Sequence, residues 1–271
     1  MIRAGCISLL IVMLSGCGII GQQKYQSASL VDYLYPDKNA PLIEPSIPTL
    51  KVPTRVGIAF VPGNRHNGLT EQSKNQILKQ VSEHFSEYKF VDRIEEIPSA
   101  YIRPGGGFEN LDQLRRLFGI DLIALVSYDQ HQFTDEGFAS LTYWTIVGAY
   151  VVPGEKNSTH TLMDTVVYDI NSRSLLFRAP GVSQVKSSST LVNLSEQQRL
   201  DSGEGFDIAS KDMILSLDKE LSEFRERIKQ QPEDVKVEYR SGYSGGGSMD
   251  LGWIALLLII GVAGIRAKRS Q

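Results

Sequence analysis

Asp121-Leu-Ile-Ala-Leu-Val-Ser-Tyr128 is the stretch whose reading decides the fold. Its apolar residues run without alternation from Leu122 to Val126. A strand of that kind is buried on both faces, so it belongs at the centre of a sheet covered by helices. Upstream, Leu111, Leu114, Leu117 and Phe118 recur at helical spacing and stop at Gly119. Asn110 and Gln113 are spaced as a capping box for that helix, after a Pro104–Gly107 loop. Further back, Tyr88–Val91 reads as a strand. Thr70 reads as the cap of a helix with Ile77, Leu78, Val81 and Phe85 on one face. Arg55-Val-Gly-Ile-Ala-Phe-Val61 reads as another buried strand. The order to this point is β-α-β-α-β.

Downstream the pattern changes to strands at about 138–151, 162–170, 174–178 and 182–187. Asn171-Ser172 marks a hairpin turn between two of them. Ile214, Leu217, Leu221, Phe224 and Ile228 then form one apolar stripe, with charges opposite, on a helix expected to pack on the sheet. The fold class expected is α+β: a mixed sheet with a β-α-β-α-β start, antiparallel strands after it, a packing C-terminal helix and a separate C-terminal transmembrane helix.

The composition of this 271-residue chain is that of a globular protein, 42% apolar and 22% charged, with a net charge of −3 and no basic excess that would point to nucleic acid. Its hydrophobicity is uneven, with strongly apolar runs at both ends. The first, Ile7–Leu14, follows Arg3 and is too short to span a bilayer, which is the pattern of a signal peptide. It closes on Leu14-Ser15-Gly16-Cys17. This resembles the bacterial lipobox, and the resemblance implies a diacylglycerol on the Cys17 thiol and cleavage between Gly16 and Cys17 by the lipoprotein-processing enzymes. The two cysteines are Cys6, which leaves with the signal, and Cys17, which is acylated. The mature chain then holds no thiol for a disulfide, a metal or a nucleophile. Gly18 stands where lipoproteins kept at the inner membrane typically carry Asp, so the resemblance implies passage to the outer membrane.

The second run, Trp253–Ile265, is followed by Arg266, Lys268 and Arg269. Counted from Met249 it is somewhat shorter than the ~20 residues of a comfortable span, and it reads as a transmembrane helix with its basic end inside. Ser241-Gly-Tyr-Ser-Gly245-Gly246-Gly247-Ser248 lies just before it. Gly run, short apolar helix and basic terminus resemble the GlyGly-CTERM sorting tail, the substrate of rhombosortases, which are intramembrane serine proteases. With the lipobox on the same chain, the sequence resembles the rhombotarget lipoproteins, and Asp250 departs from the tail's pattern. The implied sorting and cleavage motif is Gly245, Gly246, Gly247 and Ser248. Each Gly weakens a helix by about 1 kcal/mol relative to Ala, so the run favours the unwound backbone a protease needs.

The organisation expected is therefore a signal peptide over 1–16, a lipidated Cys and Pro-rich tether over 17–53, and a soluble periplasmic domain over 54–230. A Gly-rich linker over 231–248, a membrane helix over 249–265 and a basic tail over 266–271 complete it. The middle loosely resembles the domain of assembly lipoproteins such as the curli secretion lipoprotein and penicillin-binding-protein activators. The likeness rests on phrases such as Leu117-Phe-Gly-Ile-Asp-Leu-Ile-Ala124 and Tyr168-Asp-Ile-Asn-Ser-Arg173.

Motifs for chemistry are sparse. Gly242-Tyr-Ser244-Gly-Gly246 fits a nucleophile elbow in letters only, because its flanks are a linker and an apolar run rather than a strand and a helix. His66, His84, His131 and His160 lack metal-ligand spacing. Asp129 and His131 follow the central strand, where α/β proteins place sites, and read more simply as a solvent-exposed pair. Asp201-Ser-Gly-Glu-Gly-Phe-Asp207 reads as a turn before a helix with Asp207 at its positive end. No metal, cofactor or catalytic residue is expected. The favoured function is a non-enzymatic binding or assembly module of the cell envelope, exported and finally at the outer membrane or cell surface. Its implied partners are the processing enzymes, a rhombosortase-type protease and the membrane. The alternatives are a secretion or pore-assembly component using the apolar stretch Leu141–Pro153, or a cryptic envelope hydrolase at Asp129 and His131. That apolar stretch reads either as a core strand or as a surface for membrane or a partner strand.

Overall fold

The computed structural model describes residues 22–36, 46–63, 69–136, 155–190 and 192–241. Cys17, the Leu141–Pro153 stretch, the Gly run and the Met249–Ile265 segment lie outside them. The elements in chain order are β1 (Gln22–Ala28), α1 (Leu30–Leu34), β2 (Thr49–Val52), β3 (Thr54–Phe60), α2 (Glu71–Phe85), β4 (Val91–Glu96), α3 (Gly107–Phe118), β5 (Leu122–Glu136), β6 (Glu155–Asp169), β7 (Ser174–Ser189), α4 (Leu194–Gln230) and β8 (Lys236–Tyr239). This is a mixed α+β fold. The main sheet runs β4-β3-β5-β6-β7, with β3 parallel to both neighbours and the β5-β6-β7 part antiparallel. The Asp121–Tyr128 strand does sit in the middle. Ile123, Leu125 and Val126 are fully buried.

β5 is fifteen residues long, and two strands share one of its edges. β3 pairs with residues 122–126 and β1, antiparallel, with residues 128–134. Its other edge carries β6 along the whole length. One face of the sheet takes α2 and α4. The other takes α1 and α3, where Phe108 meets Tyr168 at 6.0 Å. No helix among the described residues is long and apolar enough to cross a membrane.

Several local expectations are corrected. Part of the presumed tether belongs to the fold, since β1 lies in the sheet and α1 buries Tyr33 and Leu34. The second strand is Val91–Glu96 rather than Tyr88–Val91, because residues 86–90 turn out of α2. Asn110 is not a cap. It sits buried inside α3, where its Oδ1 accepts from Arg103 N at 2.9 Å and from the Tyr33 hydroxyl at 3.1 Å. The expected strands 174–178 and 182–187 are one strand, β7. Pro180 does not break it, because β7 is an edge strand and a missing N–H facing outward costs no ladder bond. Asp201–Asp207 lies within α4, which starts thirteen residues before Asp207. Thr70 caps α2 through Ser73 N at 3.1 Å, and Gly119 ends α3 at φ 64°, both as read from sequence.

The 37-residue α4 crosses β5, β6 and β7. Its second half presents Met213, Leu217 and Phe224 to apolar strand residues. Its first half meets a polar sheet face. Gln132 Nε2 donates to Gln198 O at 2.7 Å, Ser202 Oγ to Gln130 Oε1 at 2.6 Å, and Gln198 Nε2 to Thr134 Oγ1 at 2.9 Å. Asp201, 1% exposed, accepts from Ser187 and Gln197. Buried polar groups bonded in this way avoid the desolvation cost of unpaired ones and fix the helix register. At Gly181 the helix backbone of Ala209 and Met213 lies against β7 so closely that a Cβ has no room.

Beyond α4, β8 pairs in parallel with β2 to form a small second sheet. It is pinned by Asp121, whose carboxylate accepts from Arg55 Nε at 3.1 Å and Nη2 at 3.2 Å, and from Arg240 Nη2. Arg240 Nε also donates to Pro53 O at 2.9 Å. Burial works to raise the Asp121 pKa. The hydrogen bonds from Arg55 and the charges of Arg55 and Arg240 outweigh it and hold the carboxyl below the usual carboxylate range.

Three outcomes are expected. Gly181→Val should destabilise the domain by about 2–4 kcal/mol in urea unfolding, because the added methyls push α4 off the sheet. Gly203→Ala, at a helical position with open space around it, should stabilise by up to about 1 kcal/mol. Asp121→Asn should cost about 1–3 kcal/mol at pH 7. The folded carboxyl binds its proton more weakly than the unfolded one, so the wild-type advantage is complete above about pH 4. It then disappears as the pH falls through the lower folded value, which unfolding curves of the two proteins between pH 7 and 2 measure.

Candidate apolar binding pocket

The second half of α4 and the end of α2 do not close fully onto the sheet. Between them lies a pocket of about 850 Å³. It is assembled by simple periodicities. Val56 and Ile58 from β3 and Leu122 and Ala124 from β5 point in at strand spacing of two. Val81 and Phe85 come from α2 four apart, and Leu217, Leu221, Phe224 and Ile228 from α4 at spacings of three and four. β2 and β8 form another wall with Leu50, Val52, Val237 and Tyr239. The volume falls within the roughly 300–1,000 Å³ typical of small-molecule sites.

The rim is aromatic and carries charge. The Arg225 guanidinium lies over the Phe90 ring, 5.2 Å from its centroid. Tyr88 stacks with Phe85 at 5.8 Å and contacts Phe90 at 5.1 Å. Its hydroxyl donates to Asp218 Oδ1 at 2.7 Å, and Asp218 Oδ2 meets His84 Nε2 at 2.7 Å. The Asp218 bond raises the Tyr88 pKa and keeps the phenol protonated. These contacts fasten α2 to α4 beside the pocket. Phe177 and Phe224, 5.4 Å apart, line the depth, and Arg227 braces α4 by donating to Leu176 O at 2.8 Å. The chemistry such a lining offers is the burial of hydrocarbon, about 25 cal/mol per Å² of apolar surface removed from water, with one cation at the mouth.

The residues singled out for chemistry fall elsewhere. Asp129 and His131 are adjacent, Oδ1 to Nε2 3.3 Å, but their side chains are 39% and 50% exposed. They stand on the open face of β5, with the His131 ring 4.4 Å from that of Tyr25. His160, directly across from His131 on β6, contacts Ser158 Oγ at 3.0 Å. His84 belongs to the pocket rim. Asp207 is paired with Lys211 on the surface of α4 at 2.7 Å. No group of three His, Cys, Asp or Glu side chains that could hold a metal occurs among the described residues. Cys17, Gly16, His66, Ser244, Gly245, Gly246, Gly247 and Ser248 lie outside the described residues. Sequence reasoning missed the pocket because two of its walls fall in segments that read as tether and linker. The signal was present as alternation in Leu50-Lys-Val52 and Val237-Glu-Tyr239.

No protein-family model and no curated protein matches the chain. Among solved structures, it is similar to a putative neuraminyllactose-binding hemagglutinin homolog from Helicobacter pylori, at 12% identity over 71% of this chain and 97% of that one, with a TM-score of 0.35. It is also similar to a hypothetical protein from Chlamydia trachomatis, at 13% identity over 65% of this chain and 95% of that one, with a TM-score of 0.24.

Proposed function

We propose that the chain is a cell-envelope lipoprotein of the rhombotarget kind, processed at both ends, whose folded domain is a non-enzymatic module that binds an apolar ligand. The observation that carries the binding role is the pocket of about 850 Å³, lined mainly by aliphatic and aromatic side chains. A ligand with a flexible hydrocarbon chain fits this lining, and an acidic head group fits Arg225 at the mouth. Processing rests on the Leu14–Cys17 lipobox and on the Gly245–Gly247 run before an apolar, basic-ended terminus. Acylation at Cys17, transfer beyond the inner membrane and removal of the tail by a rhombosortase-type protease follow from that pair of signals. A spanning helix does not leave a bilayer spontaneously, whereas acyl anchors attach more weakly. The tail must therefore be cut before the protein can move to the outer membrane or cell surface.

The purified domain should bind a fluorescent fatty-acid probe. Leu221→Trp, which fills the pocket, should weaken binding by at least tenfold while circular dichroism stays unchanged. Arg225→Glu should weaken an acidic probe about tenfold, a difference of ~1.4 kcal/mol, and leave a neutral alkyl probe unaffected. A domain that ignores both probes refutes the binding role.

Replacing Gly245–Gly247 with three alanines should retain the C-terminus in the inner membrane of the native host, read by an epitope tag after Gln271. If the tag stays on the wild-type body as well, the tail is a plain anchor and the sorting role fails.

A further inference from the structure

In the half of the sheet beyond Ser127 the usual alternation is inverted. Gln130, Gln132 and Thr134 point inward to α4, while His131 and Phe133 point outward. The outward face collects apolar and aromatic side chains that no described residue covers: Tyr25 at 49% exposure, Phe133 at 37%, Leu162 at 38% and Val182 at 59%. They lie around the His131–His160 pair, with the Asp129 carboxylate directly opposite Leu162. Leu162 is directly opposite Val182, and Tyr25 is opposite His131. The Phe133 ring lies 6.1 Å from that of His131 and 6.0 Å from that of His160. A patch of this kind on a soluble domain marks a contact surface, and rings with a polar rim suit a bilayer interface.

The position of β1 supplies the occupant. Gln22 pairs with Thr134 at this same end of the sheet. Cys17 precedes it by five residues, at most about 17 Å of chain. The other end of the domain is far away. Arg240 is held at Asp121, thirteen residues along the chain from Thr134, or about 43 Å at strand rise. From Arg240 the chain has nine residues to reach Met249, at most about 31 Å. Before its tail is cut, a chain attached at both ends to one bilayer would be too short-tethered to stand upright on the β1 end.

We propose that the open face of β1, β5, β6 and β7, centred on Tyr25, Phe133, Leu162 and Val182, is a docking surface for the bilayer in which the Cys17 lipid is anchored. This rests on the lipoprotein reading above. Burying these side chains in the interface offsets their exposure, and the five residues from Cys17 to Gln22 keep this end of the sheet within about 17 Å of the anchor.

The test uses the acylated protein from its own host, reconstituted in phosphatidylethanolamine–phosphatidylglycerol vesicles. An environment-sensitive dye is attached at Val182→Cys or, on the outer side of α4, at Leu215→Cys; both native residues are exposed. A quencher carried in the lipid should dim the label at 182 several-fold more than the label at 215. Equal quenching of both, with acylation of the N-terminal peptide verified by mass, overturns the docking surface alone. Protection of the 182 label that follows protein concentration instead of lipid quencher assigns the face to a second copy and also overturns it. An N-terminal peptide without acyl groups overturns the lipoprotein reading and this inference together.

Discussion

The contact between α4 and the face of β5, β6 and β7 is the constraint on which the rest of the structure depends. One helix of 37 residues lies across three long antiparallel strands. The strand face changes character along its length, and the helix changes with it. In its second half Met213, Leu217 and Phe224 are buried against apolar strand residues. In its first half Gln198 bonds to Thr134 and Gln132 of the sheet and Asp201 to Ser187. A hydrogen-bonded interface of this kind adds only about 0.5–1.5 kcal/mol per bond. It specifies one alignment, however, because any slip of the helix leaves several buried groups unpaired. Gly181 then sets how near the helix can come.

This alignment has a consequence at the far end. With its first half fixed on the polar strand face, the second half of α4 runs over the start of β5 without meeting α2 completely. The space left between them is the apolar pocket. Its remaining side is closed by β8, the first element after α4, which folds back to β2 and is locked by Arg240 on Asp121. Pocket, small sheet and arginine clamp are therefore results of where the helix lies.

Much of the architecture was legible because it is carried by local periodicity. The unbroken Leu122–Val126 run announces a central strand, the Thr70 cap and the Ile77–Phe85 face announce α2, and Gly119 marks the end of α3. The misreadings have a common cause in tertiary context. Asn110 looks like a cap but is consumed by a buried network with Tyr33 and Arg103. The Asp201–Asp207 segment has the composition of a turn, yet it is helical because its small and polar residues meet an equally polar sheet. Pro180 looks like a strand break, and only edge placement makes it harmless. The short strands β2 and β8 stabilise each other across 187 residues of chain, a pairing no local pattern announces. The candidate site was hidden for the same reason, since its walls come from nine elements brought together only by folding.

The proposed function sets the apolar pocket on a chain whose two ends resemble membrane-sorting signals, and makes the proposed lipid anchor, the Gly run and the pocket parts of one envelope protein. Native mass spectrometry of the protein released from membranes of its own host tests that claim most directly. The account predicts a chain that begins at an acylated Cys17, ends within the Gly run, and carries a non-covalent adduct with the mass of an acyl compound. A chain that begins at Met1 without acyl groups, retains Gln271 and carries no adduct contradicts it.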